Sequence, residues 1–383
     1  MNPRFYSLDV FRGATVALMI LVNNPGSWKY IYAPLAHAPW HGVTPTDLVF
    51  PFFLFAVGNA LSFVLPRLQL AGPAAFWKKV SKRTLLIFGI GLLLHWSPFI
   101  KWSGHELIFK TWDTLRIMGV LQRIALAYFF AAVLAYYLRP RGAFVAAGVL
   151  LLGYWALCYA AGTPGDPFSL EGWFGTAIDK ALLGEAHLYK GEGVPFDPEG
   201  LASTFGPIAQ VLLGYLAGDY IQQKGKSYEM VTALFVAATV LTVTGLAWGE
   251  VFPLNKKIWS SAYTLYTTGL ALYTLALLIY LIEFRGVHSW WTRFFDVFGK
   301  NPLFIFVLSG FLPRLLGLIR IENGVTPEGT PRYLSPFSWF YEKVCKLVPG
   351  IPENGSLVYA LCIIVFYWAI CYAMDKKKIY VKV

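Results

Sequence analysis

The chain has 383 residues, of which 57% are hydrophobic and 14% charged, against about 25% charged in an ordinary soluble domain. With a mean hydropathy of +0.54, it lacks the polar surface that a water-soluble fold of this length needs to cover its core. A net charge of +11 would suggest nucleic acid in a soluble protein, but here the basic residues sit in short segments between apolar runs, so a lipid bilayer is the expected partner and nucleic acid is not.

A membrane span needs about 20 mostly apolar residues. Ten stretches qualify: 8–24, 47–66, 83–99, 117–138, 143–161, 203–222, 229–248, 259–282, 301–319 and 355–374. The first carries Asp9 and Arg12 inside its apolar run and is followed at once by another span, so it reads as a retained helix and not as a signal peptide. The expected fold is all-α and polytopic, with about ten spanning helices in a single domain over 1–383. Segments on the side of the N-terminus hold Arg4, Arg67, the Lys78–Arg83 cluster, Arg139, Arg141, Lys224, Lys226, Arg285, Arg293, Lys300 and the tail with Lys376 to Lys378 and Lys382. The other side takes most of the acids over longer loops, so the positive-inside rule puts both termini in the cytoplasm. Three outer segments follow, 25–46, 162–202 and 320–354, and 286–300 reads as an interfacial helix on the cytoplasmic side. The four cysteines, Cys158, Cys345, Cys362 and Cys371, have no metal-binding spacing and read as free thiols.

Charge inside a bilayer costs a few kcal/mol or more per group, so polar residues within spans are functional candidates; four arginines, Arg12, Arg116, Arg123 and Arg314, fall in or at the ends of spans. In the first helix Asp9, Arg12 and Asn23 share one face at 100° per residue. That face is either a structural ion pair with Asn23 capping the helix, or one wall of a polar channel. In the next outer segment His37 and His41 are four apart. Pro39 between them breaks any helix and no third ligand is near, so no metal is expected. Acid–base chemistry fits better: a histidine exchanges protons near neutral pH, and Asp47 is placed to orient it. Asp197 and Glu199 form either a turn ahead of the sixth span or a grip on a substrate, and Asn255 and Lys256 lie in another outer loop.

These residues fall in motifs. SLDVFRGATVALMILVNN (Ser7–Asn24) and HAPWHGVTPTDLVFPFFLFAVG (His37–Gly58) closely resemble the heparan-α-glucosaminide N-acetyltransferase family and its bacterial relatives. GVLQRIA (Gly119–Ala125), FDPEGLAST (Phe196–Thr204), PLNKKIWSSAY (Pro253–Tyr263) and FGKNPLFIF (Phe298–Phe306) extend the resemblance over nearly the whole chain, in order. The lysosomal members carry an additional N-terminal luminal domain and helix, which this chain, opening at its D-x-F-R-G helix, is expected to lack.

The resemblance implies an acetyltransferase that moves an acetyl group from cytosolic acetyl-CoA to a glucosamine-type amine or glycan acceptor on the far side of a membrane, here a bacterial inner membrane, and it implies a homodimer. By motif position the catalytic histidine is His37, the essential asparagine Asn23 and the helix-opening aspartate Asp47. His37 is then a general base or an acetyl-accepting nucleophile, and both remain open. Arg12, Arg83 and Lys300 are expected at the coenzyme A phosphates, although the 78–83 cluster equally marks topology. Asp197, Glu199, Asn255, Lys256 and, in a lesser role, His41 are expected to hold the sugar. The alternative is a membrane transporter of an amino sugar or N-acetylated sugar, which would have no need of His37, Asn23 and Asp47 as a thioester site.

Overall fold

A computed structural model describes residues 5–104, 106–325 and 329–381; Arg4 and Lys382 of the charge pattern lie outside the described residues. The chain is mostly helical. In order come α1 (Tyr6–Asn23), α2 (Val49–Ala71), α3 (Pro73–Trp96), a hairpin of β1 (Ile100–Ser103) and β2 (Glu106–Phe109), α4 (Val120–Ala161), α5 (Gly175–Leu183), α6 (Phe205–Lys224), α7 (Tyr228–Gly249), α8 (Ser261–Ile279), α9 (Trp290–Lys300), α10 (Pro302–Leu316), a second hairpin of β3 (Ile321–Val325) and β4 (Pro331–Leu334), α11 (Pro336–Lys343) and α12 (Pro352–Lys376). Local chemistry sets the starts. Proline opens α3, α10, α11 and α12, where its missing N–H costs nothing. Ser227 and Ser260 accept from the backbone N–H of Met230 and Tyr263 to cap α7 and α8.

Helix covers each of the ten predicted stretches, but not as ten separate rods. The stretches 117–138 and 143–161 belong to one 42-residue tract, α4. A straight helix of that length would run about 63 Å, twice the hydrocarbon thickness of about 30 Å. It bends instead at Arg139 (φ 60°, ψ 178°), immediately before Pro140, whose ring disfavours the helical region for the residue before it. The predicted span 301–319 is likewise the second limb of a bent pair, α9 and α10, that turns by 79° around Asn301. Among the described residues six helical tracts are long and apolar enough to cross a membrane, or seven when the bent pair counts as one. Of the remaining two, α3 carries Lys78, Lys79, Lys82 and Arg83 in its first half, and α6 ends in a polar turn. The hairpins and α11 lie in segments where the sequence pattern gave no strand.

The core is built where α2, α4, α6 and α8 meet. Leu54, Ala127, Ala131, Ala209, Leu212 and Tyr263 are fully enclosed there. Small residues bring backbones close. A Cβ on Gly58 of α2 would lie 1.9 Å from the Val211 carbonyl oxygen of α6, and one on Gly214 would lie 2.2 Å from the Phe55 carbonyl. Gly58→Ala is therefore expected to force the two helices apart and to cost about 1–3 kcal/mol, read as a lower unfolding temperature of the purified protein. An equally stable variant would show that the contact relaxes freely.

Candidate active site

The segment between α1 and α2 folds back over the start of α2. The Thr44 hydroxyl donates to the Ala36 carbonyl (2.7 Å) and the Thr46 hydroxyl to that of Pro34 (3.3 Å). Gly42, at φ 106°, donates its N–H to the Leu254 carbonyl (2.8 Å), and Lys257 donates to the Pro39 carbonyl (2.7 Å). Trp40 anchors the other flank by donating to the Phe168 carbonyl (2.9 Å). The segment is thus tied to two other loops at once, and His37 comes to rest beside Asp47.

Asp47 is 1% exposed, and nearly every lone pair of its carboxylate is used. Oδ2 accepts from the backbone N–H groups of Ala38 and Thr44, each at 3.1 Å. Oδ1 lies 2.6 Å from His37 Nδ1 and 3.3 Å from Lys256 Nζ. The Tyr263 hydroxyl donates to the Asp47 carbonyl (2.5 Å), pinning the turn to α8. A carboxylate can only accept, so His37 Nδ1 carries a proton, and in the neutral form of the ring the lone pair is on Nε2. The ring stays accessible, with 41% of its side chain exposed. Lys256 Nζ is 3.1 Å from the same Nδ1; with that nitrogen already a donor, the lysine spends its hydrogen bond on Asp47. Removal from water holds the Lys256 ammonium below its ordinary pKa, despite the attraction of Asp47 and Glu199.

His37, Asn23, Lys256 and Glu199 line one cavity of about 160 Å³, together with Phe53, Ile124 and Phe306. Asn23 is the last residue of α1, exposed, with no hydrogen-bond partner for its side chain among the described residues. A second cavity of about 610 Å³ is lined by Arg12, Lys79, Lys82, Arg83 and Lys300, and also by Phe53 and Ile124. The two cavities meet at those shared side chains. The residues expected at opposite ends of a coenzyme therefore flank adjoining spaces.

The basic groups of the larger cavity are not equivalent. Arg12 donates to Asp9 (2.7 Å) and to the Gly299 carbonyl (2.7 Å). Lys300 sits between Asp296 (2.8 Å) and Asp375 (3.1 Å). Arg83 has no carboxylate partner among the described residues; its guanidinium lies 4.8 Å over the Tyr128 ring, and its buried Nε is unsatisfied.

The residues expected to hold the sugar divide as well. Only Glu199 and Lys256 reach the His37 cavity. Asp197 is buried and takes both arms of Arg116, at 2.9 and 2.6 Å. Asn255 is also buried: its Oδ1 accepts from Ile258 N (3.0 Å), and its Nδ2 contacts His41 Nδ1 (3.3 Å). The Asn255 amide thus shapes the loop that presents Lys256. Burial holds His41 below the ordinary imidazole pKa, so this ring is neutral near pH 7.

Sequence reasoning singled out Arg116 and Arg123 as costly charges without finding their partners. Arg116 binds Asp197 and, at 2.5 Å, Glu199. Arg123 is fully enclosed; it donates to the Gly200 carbonyl (2.7 Å) and to Ser203, and lies over the Trp259 ring. The two arginines clamp the 197–203 turn, which delivers Glu199 to the cavity. Burial would raise the Glu199 pKa, but the charges of Arg116 and Arg123 outweigh it and hold this carboxyl below its ordinary value.

Fold and site together define an integral membrane protein of many helices, with a histidine–aspartate pair at the head of a cavity that adjoins a basic one. Residues 4–247 match the family described as heparan-alpha-glucosaminide N-acetyltransferase, catalytic, and the chain belongs to that family. It is similar to the heparan-alpha-glucosaminide N-acetyltransferase of Homo sapiens, 26% identical over 436 aligned positions that cover all of this chain and 60% of the human protein. The mouse protein of the same name is 25% identical, covering 99% of this chain and 60% of its own length. The chain therefore spans about 60% of the length of these curated relatives.

Proposed function

We propose that the protein is a transmembrane acetyltransferase of about ten spans with both termini in the cytoplasm of a bacterial cell. It moves an acetyl group from cytosolic acetyl-CoA to the amine of a glucosamine-type sugar on the opposite side. The observation that carries this reading is the Asp47–His37 pair in a cavity that adjoins, through Phe53 and Ile124, the basic cavity around Arg83. Arg12 and Asn23 lie 11 residues apart on α1, about 16 Å along its axis, a distance that an extended pantetheine arm covers. The nucleotide phosphates then sit in the basic cavity and the thioester beside Asn23.

The sugar amine loses a proton to His37 Nε2 as its nitrogen bonds to the thioester carbonyl carbon. The carbon–sulfur bond breaks, the thiolate leaves, and the proton held on the imidazolium returns to it. Asp47 fixes the tautomer and stabilises the imidazolium. The Asn23 amide is free to donate to the carbonyl oxygen as charge builds there, a contribution of about 3–4 kcal/mol for a well-placed donor. Glu199 and Lys256 face the sugar, while Asp197, Asn255 and His41 hold the surrounding loops. Acetyl transfer to glucosamine from labelled acetyl-CoA by the purified protein tests the reading; failure to transfer to any amino sugar would overturn it.

Because Arg83 is the predicted phosphate partner without a carboxylate of its own, Arg83→Ala is expected to raise the KM for acetyl-CoA by about tenfold or more, the worth of a hydrogen bond to a charged group. It should change kcat less. Initial-rate measurements check this; an unchanged KM would move the phosphates elsewhere in the cavity.

A further inference from the structure

One cavity holds neither the coenzyme nor the reacting histidine. It holds about 460 Å³ and lies among the end of α3, the segment after β2 and the end of α10. Lys101, Lys110, Arg116 and Arg314 line it, with the aromatic rings of Trp96 and Tyr189, and no carboxylate lines it among the described residues. Arg116 is already matched by Asp197 and Glu199. The other three cations are not: among the described residues Lys110 Nζ donates only to the Ser97 carbonyl (2.9 Å), Arg314 only to the Leu94 carbonyl (2.7 Å), and Lys101 is exposed with no ion pair. Burial first, then the charges of Arg314 and Lys101, depress the Lys110 pKa. Like charges held together without a counterion are a standing cost that a bound anion removes.

The position of this cavity gives the anion a role. Arg116 forms part of its lining, Glu199 forms part of the His37 cavity, and the two side chains touch at 2.5 Å. The two spaces are one ion pair apart. Three unmatched cations suit a dianion better than a single carboxylate, and Trp96 and Tyr189 add aromatic surface to the lining, one face of the Tyr189 ring being covered by Arg116. We propose that this cavity is a phosphate site, and that the acceptor is an amino sugar bearing a phosphate that sits among Lys101, Lys110 and Arg314 while its amine reaches His37. The role in the acceptor rests on the acetyl-transfer reading; phosphate binding itself does not.

The test uses the full chain in detergent and in lipid nanodiscs. Inorganic phosphate binding is followed by calorimetry in the wild type and in Lys101→Glu, Lys110→Gln and Arg314→Gln. Acetyl transfer is compared for glucosamine, glucosamine phosphate in solution, and a glucosaminyl phospholipid in the nanodisc. The expected result is a KM at least about tenfold lower for a phosphorylated acceptor, with that preference lost in the variants and kcat on plain glucosamine unchanged. Lys101 is exposed, and its side chain makes no hydrogen bond or ion pair among the described residues, so Lys101→Glu is expected to preserve the fold and keeps the test decisive. A preference in the soluble arm assigns a free sugar phosphate, and one confined to nanodiscs assigns a lipid headgroup. Transfer without a phosphate preference in either arm overturns the proposal alone. Phosphate binding that the variants abolish, in a protein that acetylates nothing, upholds the anion site while the acetyl-transfer reading falls. Absence of phosphate binding in the wild type removes the site.

Discussion

His37→Ala is expected to lower acetyl transfer by about 10²- to 10⁴-fold, the usual worth of a positioned general base, with the protein still folded. The ring is accessible, and among the described residues its hydrogen bond is to Asp47, with Lys256 beside it, so its removal opens no core. Asp47→Asn is expected to cost the same order. An amide nitrogen facing Nδ1 would donate to it and move the ring proton to Nε2, where a base needs a lone pair; in the serine protease triad that change costs about 10⁴. An asparagine oxygen can still accept from the N–H groups of Ala38 and Thr44, so the turn survives. Rates with labelled acetyl-CoA, set beside unfolding temperatures, give the answer. Full activity in His37→Ala would remove the imidazole from the reaction. Quenching with acid in the absence of acceptor separates the two chemistries: label retained on the wild-type protein but not on His37→Ala means a two-step transfer through an acetylated imidazole, and no retained label means direct transfer.

How much of this was legible in the sequence follows the distance between partners along the chain. His37 and Asp47 are ten residues apart in a proline-interrupted loop, close enough that a helix start and a preceding histidine are read as one unit. Lys256 was visible as part of a motif, but its hydrogen bond to Asp47 joins loops far apart in the chain. Arg116 and Arg123 were visible as charges that must find partners; nothing in a one-dimensional pattern says that the 197–203 turn supplies them. The same blindness affected the phosphate candidates. Arg12, Arg83 and Lys300 look alike as basic residues near span ends, yet Asp9, Asp296 and Asp375 already engage the first and third. Hydropathy located the helical tracts because burial in lipid is a local demand. It divided α4 at the right place, since Pro140 is a local signal, and it separated the amphipathic segment 286–300 from the stretch 301–319, between which α9 and α10 bend by 79°.

Arg116→Ala is expected to destabilise the protein by about 3–5 kcal/mol, the cost of leaving a buried charge without its partner. Asp197 would keep its carboxylate out of water with only the backbone N–H of Glu199 against it, and Glu199 would lose its hydrogen bond to Arg116. The loss should appear as a lower midpoint in chemical or thermal unfolding. Neutralising the acids as well, with Asp197→Asn and Glu199→Gln on Arg116→Met, should recover much of it, because the penalty comes from the orphaned charges and not from the missing bond. The bridge also has a pH signature. The Glu199 pKa is lower in the folded protein than its ordinary value, so the stability it contributes is present above the unfolded glutamate range, about 4.3, and drains away as pH falls below it. Glu199→Gln should flatten that acid limb. An Arg116→Ala protein as stable as the wild type, with its acid limb unchanged, would mean that water reaches the 197–203 turn and that the two arginines do not hold Glu199 at the cavity.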